Sequence, residues 1–345
     1  MKRMPAKKIA VYALTSQGLA VGRLLAARLH GTLYASKPLE AEGAIPFESL
    51  KHLVSATFNA FDGHVFVAAA GIVVRCIAPH LQSKETDPAV VCMDQGGLFA
   101  ISLLSGHLGG ANELADRCAR TMGAQSVITT ATDSAGVLSI DSLAMAKGLA
   151  IGTIGKVKDV NMALLENRIV QVYDPEDWLG LAWHAGFEGR AGYEDWNESS
   201  PGIWVSWHND APEGSLALHP RMLHLGIGCR RDITTYEILD HVHMVFKKHG
   251  LAMDSIASVG SVEAKRNEAG LLEAAEEFGV DPVFYTTAQL AAVDAPTPSD
   301  RVQQHMGVPS VAEASAMLAS HGGQLLVSKE KTSTVTLAVA RSNRA

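Results

Sequence analysis

Cysteine is scarce and unpaired in this 345-residue chain: Cys76, Cys92, Cys118 and Cys229 stand far apart, with no Cys-x-x-Cys among them. That argues against a zinc ribbon or a thioredoxin-like redox site and makes reduced, mostly buried thiols in a cytoplasmic protein the expectation. No stretch approaches the roughly 20 consecutive apolar residues that span a bilayer, so no membrane segment is expected. The basic start, Met1 to Lys8, leads into a short apolar run, Ile9 to Leu14, that ends at Thr15-Ser16-Gln17-Gly18. A first strand and turn explain it better than a signal peptide. Positive charge is short as well: 29 Lys and Arg face 36 Asp and Glu, a formal net charge of −7. Even residues 221–345 carry only 12 basic side chains against 14 acidic ones, so no basic stripe exists and nucleic acid is not an expected partner.

Two further absences concern cofactors. Gly226 and Gly228 lack the third glycine of a dinucleotide-binding turn, whose place Arg231 holds, so no nicotinamide cofactor is expected. His241 and His243 are two residues apart, which on a helix sends them to different faces, and neither has a ligand at i+4. No metal site is expected there.

What is present is apolar and periodic. With 47% hydrophobic residues the chain has ample core, and its length is too great for one ordinary core. In the first part, strands are expected at Ile9 to Leu14, Val65 to Ala70, Gly97 to Leu104 and Val127 to Thr130, with helices at Leu19 to Leu29 and Asn112 to Met122. A second alternation starts at Leu223. It has strands at Leu223 to Ile227, Ile256 to Val259, Val283 to Tyr285, Gln324 to Val327 and Thr334 to Ala340, and helices at Thr234 to His249, Gly270 to Phe278 and Ser310 to Ala319. The fold class is therefore α/β: two three-layer α/β domains with mainly parallel sheets, joined by a smaller Trp-rich middle segment. The expected boundaries are 1–140, 141–221 and 222–345. The middle segment holds all five tryptophans, Trp178, Trp183, Trp196, Trp204 and Trp207. Either they form a small core or they make a flat aromatic wall for a ligand.

Residues Ser102 to Asn112 join the strand ending at Leu104 to the helix after Asn112 through a polar, glycine-rich turn. At such a junction free N–H groups and the helix dipole favour a carboxylate or phosphate, and Gly106, Gly109 and Gly110 allow close approach. Ser105, His107 and Asn112 add side-chain donors, although Asn112 could equally be a helix cap. Gly71 to Asp87 and Val127 to Asp133 also look like polar strand ends, the latter with Thr130, Thr132 and Asp133 clustered. Three such ends suggest one crevice at the carboxyl edge of an open α/β sheet.

Taken together these segments resemble the cobalt-precorrin-5A hydrolase family of anaerobic cobalamin biosynthesis, whose members carry the Leu-Leu-Ser-Gly-His-Leu-Gly-Gly-Ala-Asn block seen at 103–112. The resemblance extends to Gly226-Ile-Gly-Cys-Arg-Arg231, Lys265 with Glu268 and Gly270, Gly307-Val-Pro-Ser-Val-Ala-Glu-Ala314 and Val335 to Arg341. It implies a hydrolase that opens a δ-lactone on the macrocycle and expels acetaldehyde. Cobalt would arrive inside the substrate, with no cofactor of the protein's own and with neighbouring pathway enzymes as possible partners. The substrate's rim of carboxylates would need donors and cations, for which Arg75, Arg230, Arg231 and Lys265, with Glu268 beside it, are candidates. Ser105, Gly106, Gly109, Gly110, Asn112, Thr130 and Thr132 are candidates in the first half.

For that reaction the turn would stabilise an oxyanion, and His107 is the expected base, oriented by Asp133 or Glu113. Ser105 lacks the Gly-x-Ser-x-Gly elbow and is assigned to binding rather than acyl-enzyme chemistry. A non-catalytic tetrapyrrole carrier would use the same anion turn, and an ordinary small-ester hydrolase would leave an adduct on Ser105.

Overall fold

The computed structural model describes residues 8–83, 86–181, 183–297 and 310–344. The basic start up to Lys7, Lys84 and Glu85, and the motif residues Gly307 to Pro309 lie outside the described residues. Contacts divide the chain into two compact units at Ser142 and Leu143.

The first unit is a seven-stranded sheet in the order β3-β2-β1-β4-β5-β6-β7. Its strands are β1 (Ile9–Ala13), β2 (Thr32–Ser36), β3 (Ile45–Phe47), β4 (Gly63–Val67), β5 (Ala89–Met93), β6 (Phe99–Leu104) and β7 (Gln125–Val127). The central strands β1, β4 and β5 are buried along their whole length, which is why they read as continuous apolar runs without alternation. Helices α1 (Ser16–Leu29), α2 (Leu50–Thr57), α3 (Ala70–Ile77) and α4 (Ala111–Met122) cover the two faces. On one face Val11, Val65, Val91 and Met93 pack with Leu25, Leu114 and Cys118; on the other Tyr12, Phe66 and Val90 pack with Val54, Phe58, Val73 and Ile77. Each such buried side chain contributes about 1.5–3 kcal/mol, so the three layers come from apolar burial on both sheet faces. Thr15 caps α1 by accepting the Gly18 N–H at 3.1 Å, and His30 ends it with φ 55°.

One pairing decides where the site lies. β5 and β6 are antiparallel, while every other pair in this sheet is parallel. Asp94 closes the hairpin between them: its carboxylate accepts the N–H groups of Gly96 (2.9 Å), Leu98 (2.8 Å) and Phe99 (2.7 Å). A connection this short can only join antiparallel strands. Leu104 therefore lies beside Val90 at the start of β5, and the end of β6 shares an edge with the beginnings of β1, β4 and β5. Because β7 is parallel to β6, its end arrives at the same edge. The expected crevice at the carboxyl ends of the parallel strands is thus corrected to their amino edge. The segment Gly71 to Asp87 is likewise no strand end, since its first residues belong to α3. Its tail, Asp87, does reach the site edge just ahead of β5, with its carbonyl near Gly109.

The second unit holds two five-stranded sheets. The first of these comprises β8 (Leu149–Ile151), β9 (Val170–Tyr173), β10 (Phe187–Gly189), β11 (Gly202–Val205) and β12 (Leu216–Pro220), in the order β10-β9-β11-β12-β8. The tryptophans serve mostly as packing. Trp204 is buried and stacked on Tyr173 at 3.9 Å, with Trp196 edge-on to it at 5.2 Å, while Trp183 is 99% exposed. Trp207 and Trp178 lie beneath the guanidinium groups of Arg341 and Arg344, each at 5.1 Å.

The last sheet is ordered β15-β14-β13-β17-β16. Its strands are β13 (Leu223–Cys229), β14 (Ile256–Val262), β15 (Pro282–Tyr285), β16 (Gln324–Lys331) and β17 (Val335–Arg341). β13 to β15 pair in parallel, and the closing hairpin of β16 and β17 adds two antiparallel pairs. Gly226 has a packing reason: a Cβ there would drive into the Ala312 carbonyl on the helix Val311–Ala319.

Candidate active site

The turn from Ser105 to Gly110 is bent into shape by two left-handed residues, Ser105 at φ 56° and Gly110 at φ 85°. Glycine adopts that region freely, whereas a serine there is strained and is retained where the surroundings hold it. Gly109 packs so close that a Cβ on it would collide with Ser105 Cβ and come within 2.8 Å of the Ser105 carbonyl. The turn also closes the first turn of α4 on itself. Ala111 N–H donates to Ser105 O (3.0 Å), Asn112 N–H to Gly106 O (2.9 Å) and Leu114 N–H to Gly110 O (3.0 Å). The helix start is therefore not the open donor set that its sequence suggests. Within the turn, the N–H groups of Gly106, His107 and Leu108 have no hydrogen-bond partner among the described residues. Successive turn N–H groups of this kind form an anion-binding concavity. The Ser105 hydroxyl is buried and has no hydrogen-bond partner among the described residues.

Beside the turn a polar network joins β6, α4 and the segment after β7. Asn112 lies inside α4 rather than capping it, because Gly110 occupies the cap position. Its amide donates to Thr130 Oγ1 (3.1 Å) and Asp133 Oδ2 (3.0 Å), and its oxygen accepts from Ser102 Oγ at 2.6 Å. Gly106 must be small here, since a Cβ would sit 2.7 Å from Asn112 Oδ1 and 3.0 Å from Thr130 Cγ2. Thr130 precedes the short helix α5 (Ala131–Ser134), whose backbone turns Asp133 back so that Oδ2 also accepts from the Thr130 hydroxyl.

His107 is held between two carboxylates. Its Nε2 lies 2.8 Å from Asp133 Oδ2 and 3.2 Å from Thr132 Oγ1, and its Nδ1 lies 3.3 Å from Asp141 Oδ2. Asp141 lies in the first turn of the helix α6 (Ile140–Ala146), its side chain is only 7% exposed, and its Oδ1 accepts from Ser139 Oγ at 2.6 Å. The hydrogen bond to Asp141 does most to raise the His107 pKa; burial opposes it, and the bond to Asp133 adds to it. The result is a value of about 9. Asp133 shifts the other way: burial raises its pKa, but the Thr130 and His107 hydrogen bonds outweigh burial and hold it below the usual carboxylate range. At neutral pH the centre is thus an imidazolium with both ring N–H groups donating. A ring in that state has no lone pair free to accept a proton.

The other predicted residues fall into three groups. Thr130, Thr132, Asp133 and Asn112 converge on His107. Glu113 does not: it is exposed and, with Gly110, Asp62, Arg117 and Leu114, lines a cavity of about 300 Å³ at the starts of β1, β4 and β5. Arg75 is also misplaced by its sequence context, because it lies within α3 and folds back onto the Gly71 carbonyl at 2.9 Å. In the second unit Arg230 and Arg231 follow β13 as exposed cations, and Lys265 is paired internally with Glu268 at 2.7 Å. Glu268 also accepts the Ile233 N–H at 3.2 Å. Beside them burial pushes the Cys229 thiol up to about 11, against the pull of Lys265.

Sequence reasoning missed Asp141, Ser139 and Ser102. Asp141 reads as an ordinary first-turn helix acid, and the hydroxyl two residues before it is the only local signal. Among the described residues no group of three or more His, Cys, Asp and Glu side chains is placed to hold a metal ion, and no helix is long and apolar enough to cross a membrane.

Three family descriptions match consecutive parts of the chain: "Cobalamin synthesis G N-terminal" over residues 52–133, "Cobalamin biosynthesis central region" over 138–220 and "Cobalamin synthesis G C-terminus" over 223–340. The cobalt-precorrin-5A hydrolase of Salmonella typhimurium is 35% identical over 353 aligned positions, covering 99% of this chain and 100% of that protein. That of Priestia megaterium is 32% identical over 309 positions, covering 85% and 82%. Protein CobE of a Sinorhizobium species is 31% identical over 119 positions, covering 34% of this chain and 77% of that protein. With full-length coverage at this identity, and the block around His107 folded into one polar network, the chain belongs to the cobalt-precorrin-5A hydrolase family.

Proposed function

We propose that this protein hydrolyses cobalt-precorrin-5A, opening its δ-lactone and releasing acetaldehyde to give cobalt-precorrin-5B. The observation that carries the reading is the doubly clamped His107 imidazolium beside the unpartnered N–H groups of Gly106 to Leu108. Cobalt enters as part of the substrate, and the protein needs no cofactor of its own. A cytoplasmic location, with the substrate received from neighbouring pathway enzymes, suits the absence of a membrane-spanning helix among the described residues.

The chemistry needs three things. Water adds to the lactone carbonyl, and the turn N–H groups stabilise the oxyanion that forms. Asp133, half-exposed and ionised, orients the water and passes its proton to solvent. As the ring C–O bond breaks, the departing oxygen takes a proton from His107, which leaves the imidazole neutral. That imidazole then recovers the proton from the new hydroxyl. The C–C bond breaks, its electron pair stays on the macrocycle, and the carbinol carbon departs as the carbonyl of acetaldehyde. Arg230 and Arg231 are proposed to pair with substrate carboxylates.

Anaerobic incubation with cobalt-precorrin-5A tests the reading. Wild type releases acetaldehyde catalytically, and His107→Ala lowers kcat by roughly 10²–10⁴-fold, the usual worth of a positioned proton donor. Equal turnover by both would remove His107 from the mechanism. Substrate bound by both without acetaldehyde would favour the carrier.

A further inference from the structure

The two carboxylates on His107 are not equivalent, and their difference assigns a direction to the proton. Asp133 stands on the open side, with 40% of its side chain exposed, and shares Nε2 with the Thr132 hydroxyl. Asp141 stands on the closed side, 7% exposed, and is itself fixed by Ser139 Oγ at 2.6 Å. These are the charged groups in contact with the ring among the described residues. Of the other acids at this edge, Asp87 turns its carboxylate to the Gln82 N–H at 3.0 Å, Asp62 accepts the Lys8 N–H at 2.7 Å, and Glu113 is exposed.

We propose that Asp141 is the positioning residue of this site: it holds His107 through Nδ1, so that Nε2 is the nitrogen that delivers the proton once the substrate displaces Asp133. A substrate oxygen can take Asp133's place because that carboxylate remains solvated when it lets go. Asp141, 7% exposed, would be left as a buried carboxylate separated from its cation, which is strongly disfavoured. The ring is thereby kept charged and in one orientation while its other nitrogen changes partner. Asp141 lies within the part of the chain matched by the central-region description, beyond the 52–133 match that contains His107. The proton donor is completed from outside its own motif.

The inference rests on the proposed role of His107 as proton donor, and its test separates the two. The His107 ring is titrated by 15N NMR in the free protein, which needs no turnover, and the pH profile of acetaldehyde release is measured alongside. In Asp141→Asn, of nearly the same shape, the His107 midpoint should fall from about 9 by roughly one unit or more. Its kcat should drop about ten-fold or more with KM little changed, and the alkaline limb should move with the NMR midpoint. Ser139→Ala, a milder change, should shift both in the same direction by less. A His107 midpoint and alkaline limb that stay in place in both variants would overturn the assignment. An NMR shift without wild-type acetaldehyde would uphold the clamp and reject the proposed reaction.

Discussion

Both nitrogens of His107 point at carboxylates, and on this fact rests its proposed role as a proton donor rather than the expected base. It also has a consequence for stability. A histidine whose pKa rises from 6.5 to about 9 on folding contributes stability that is fully present below 6.5, declines above it and is lost as pH passes through about 9. Asp133, held low, works in the opposite sense: its contribution is present above its ordinary pKa and is lost as pH falls through its folded value. Thermal unfolding of the wild type should therefore move to lower temperature between pH 7 and about 9.5, and His107→Ala should remove most of that slope. An unchanged slope in the variant would place the titrating group elsewhere. The residue-level reading of the sequence singled out His107, Asn112, Thr130, Thr132 and Asp133, which the fold brings together, because a glycine turn and clustered hydroxyls are local signals. It missed Asp141 and misassigned Glu113, because which acid meets an imidazole depends on how separate segments pack. Glu113 is six residues from His107 and on the wrong face of α4, while Asp141 is far along the chain and in contact with the ring.

At the scale of elements, the strand before the turn and the helix after it were legible, while the strand expected at Val127 to Thr130 lies instead at Gln125–Val127 and the pairing direction was not foreseen. α4 was foreseen to within a residue, since its apolar spacing and the glycines before it are written in the sequence. β5 was not foreseen, although Val90 to Met93 is a short apolar run, and without it the β5–β6 hairpin could not be recognised. Nothing in the alternation of Gly97 to Leu104 tells whether that strand runs with or against its neighbour. Yet the direction moves the whole site from one sheet edge to the other. Asp94 is the residue that secures it, and Asp94→Ala removes the acceptor for three N–H groups. A loss of about 1–3 kcal/mol in urea unfolding is expected, accompanied by weaker turnover because β6 carries Ser102 and leads into Ser105. Unchanged stability would mean that the strand contacts alone set the hairpin.

At the scale of the whole molecule, the α/β class and the second run of strands from Leu223 were legible because they rest on periodicity. The middle segment's own sheet was not, since its strands are three to five residues long and punctuated by Gly and Pro. Trp204 and Trp196 pack within that sheet, the first of the two alternatives that composition left open. The first unit supplies the turn, the imidazolium and both carboxylates on which the proposed chemistry rests. The most direct measurement is the rate of acetaldehyde release from cobalt-precorrin-5A by the wild-type protein between pH 6 and 10. The account predicts one acetaldehyde per substrate, a rate already high at pH 7, and a fall as pH passes through about 9, where His107 loses its proton. A rate that instead climbs through pH 6.5 and stays high at pH 10 would contradict the proton-donor role, and bound substrate without acetaldehyde would contradict the reaction itself.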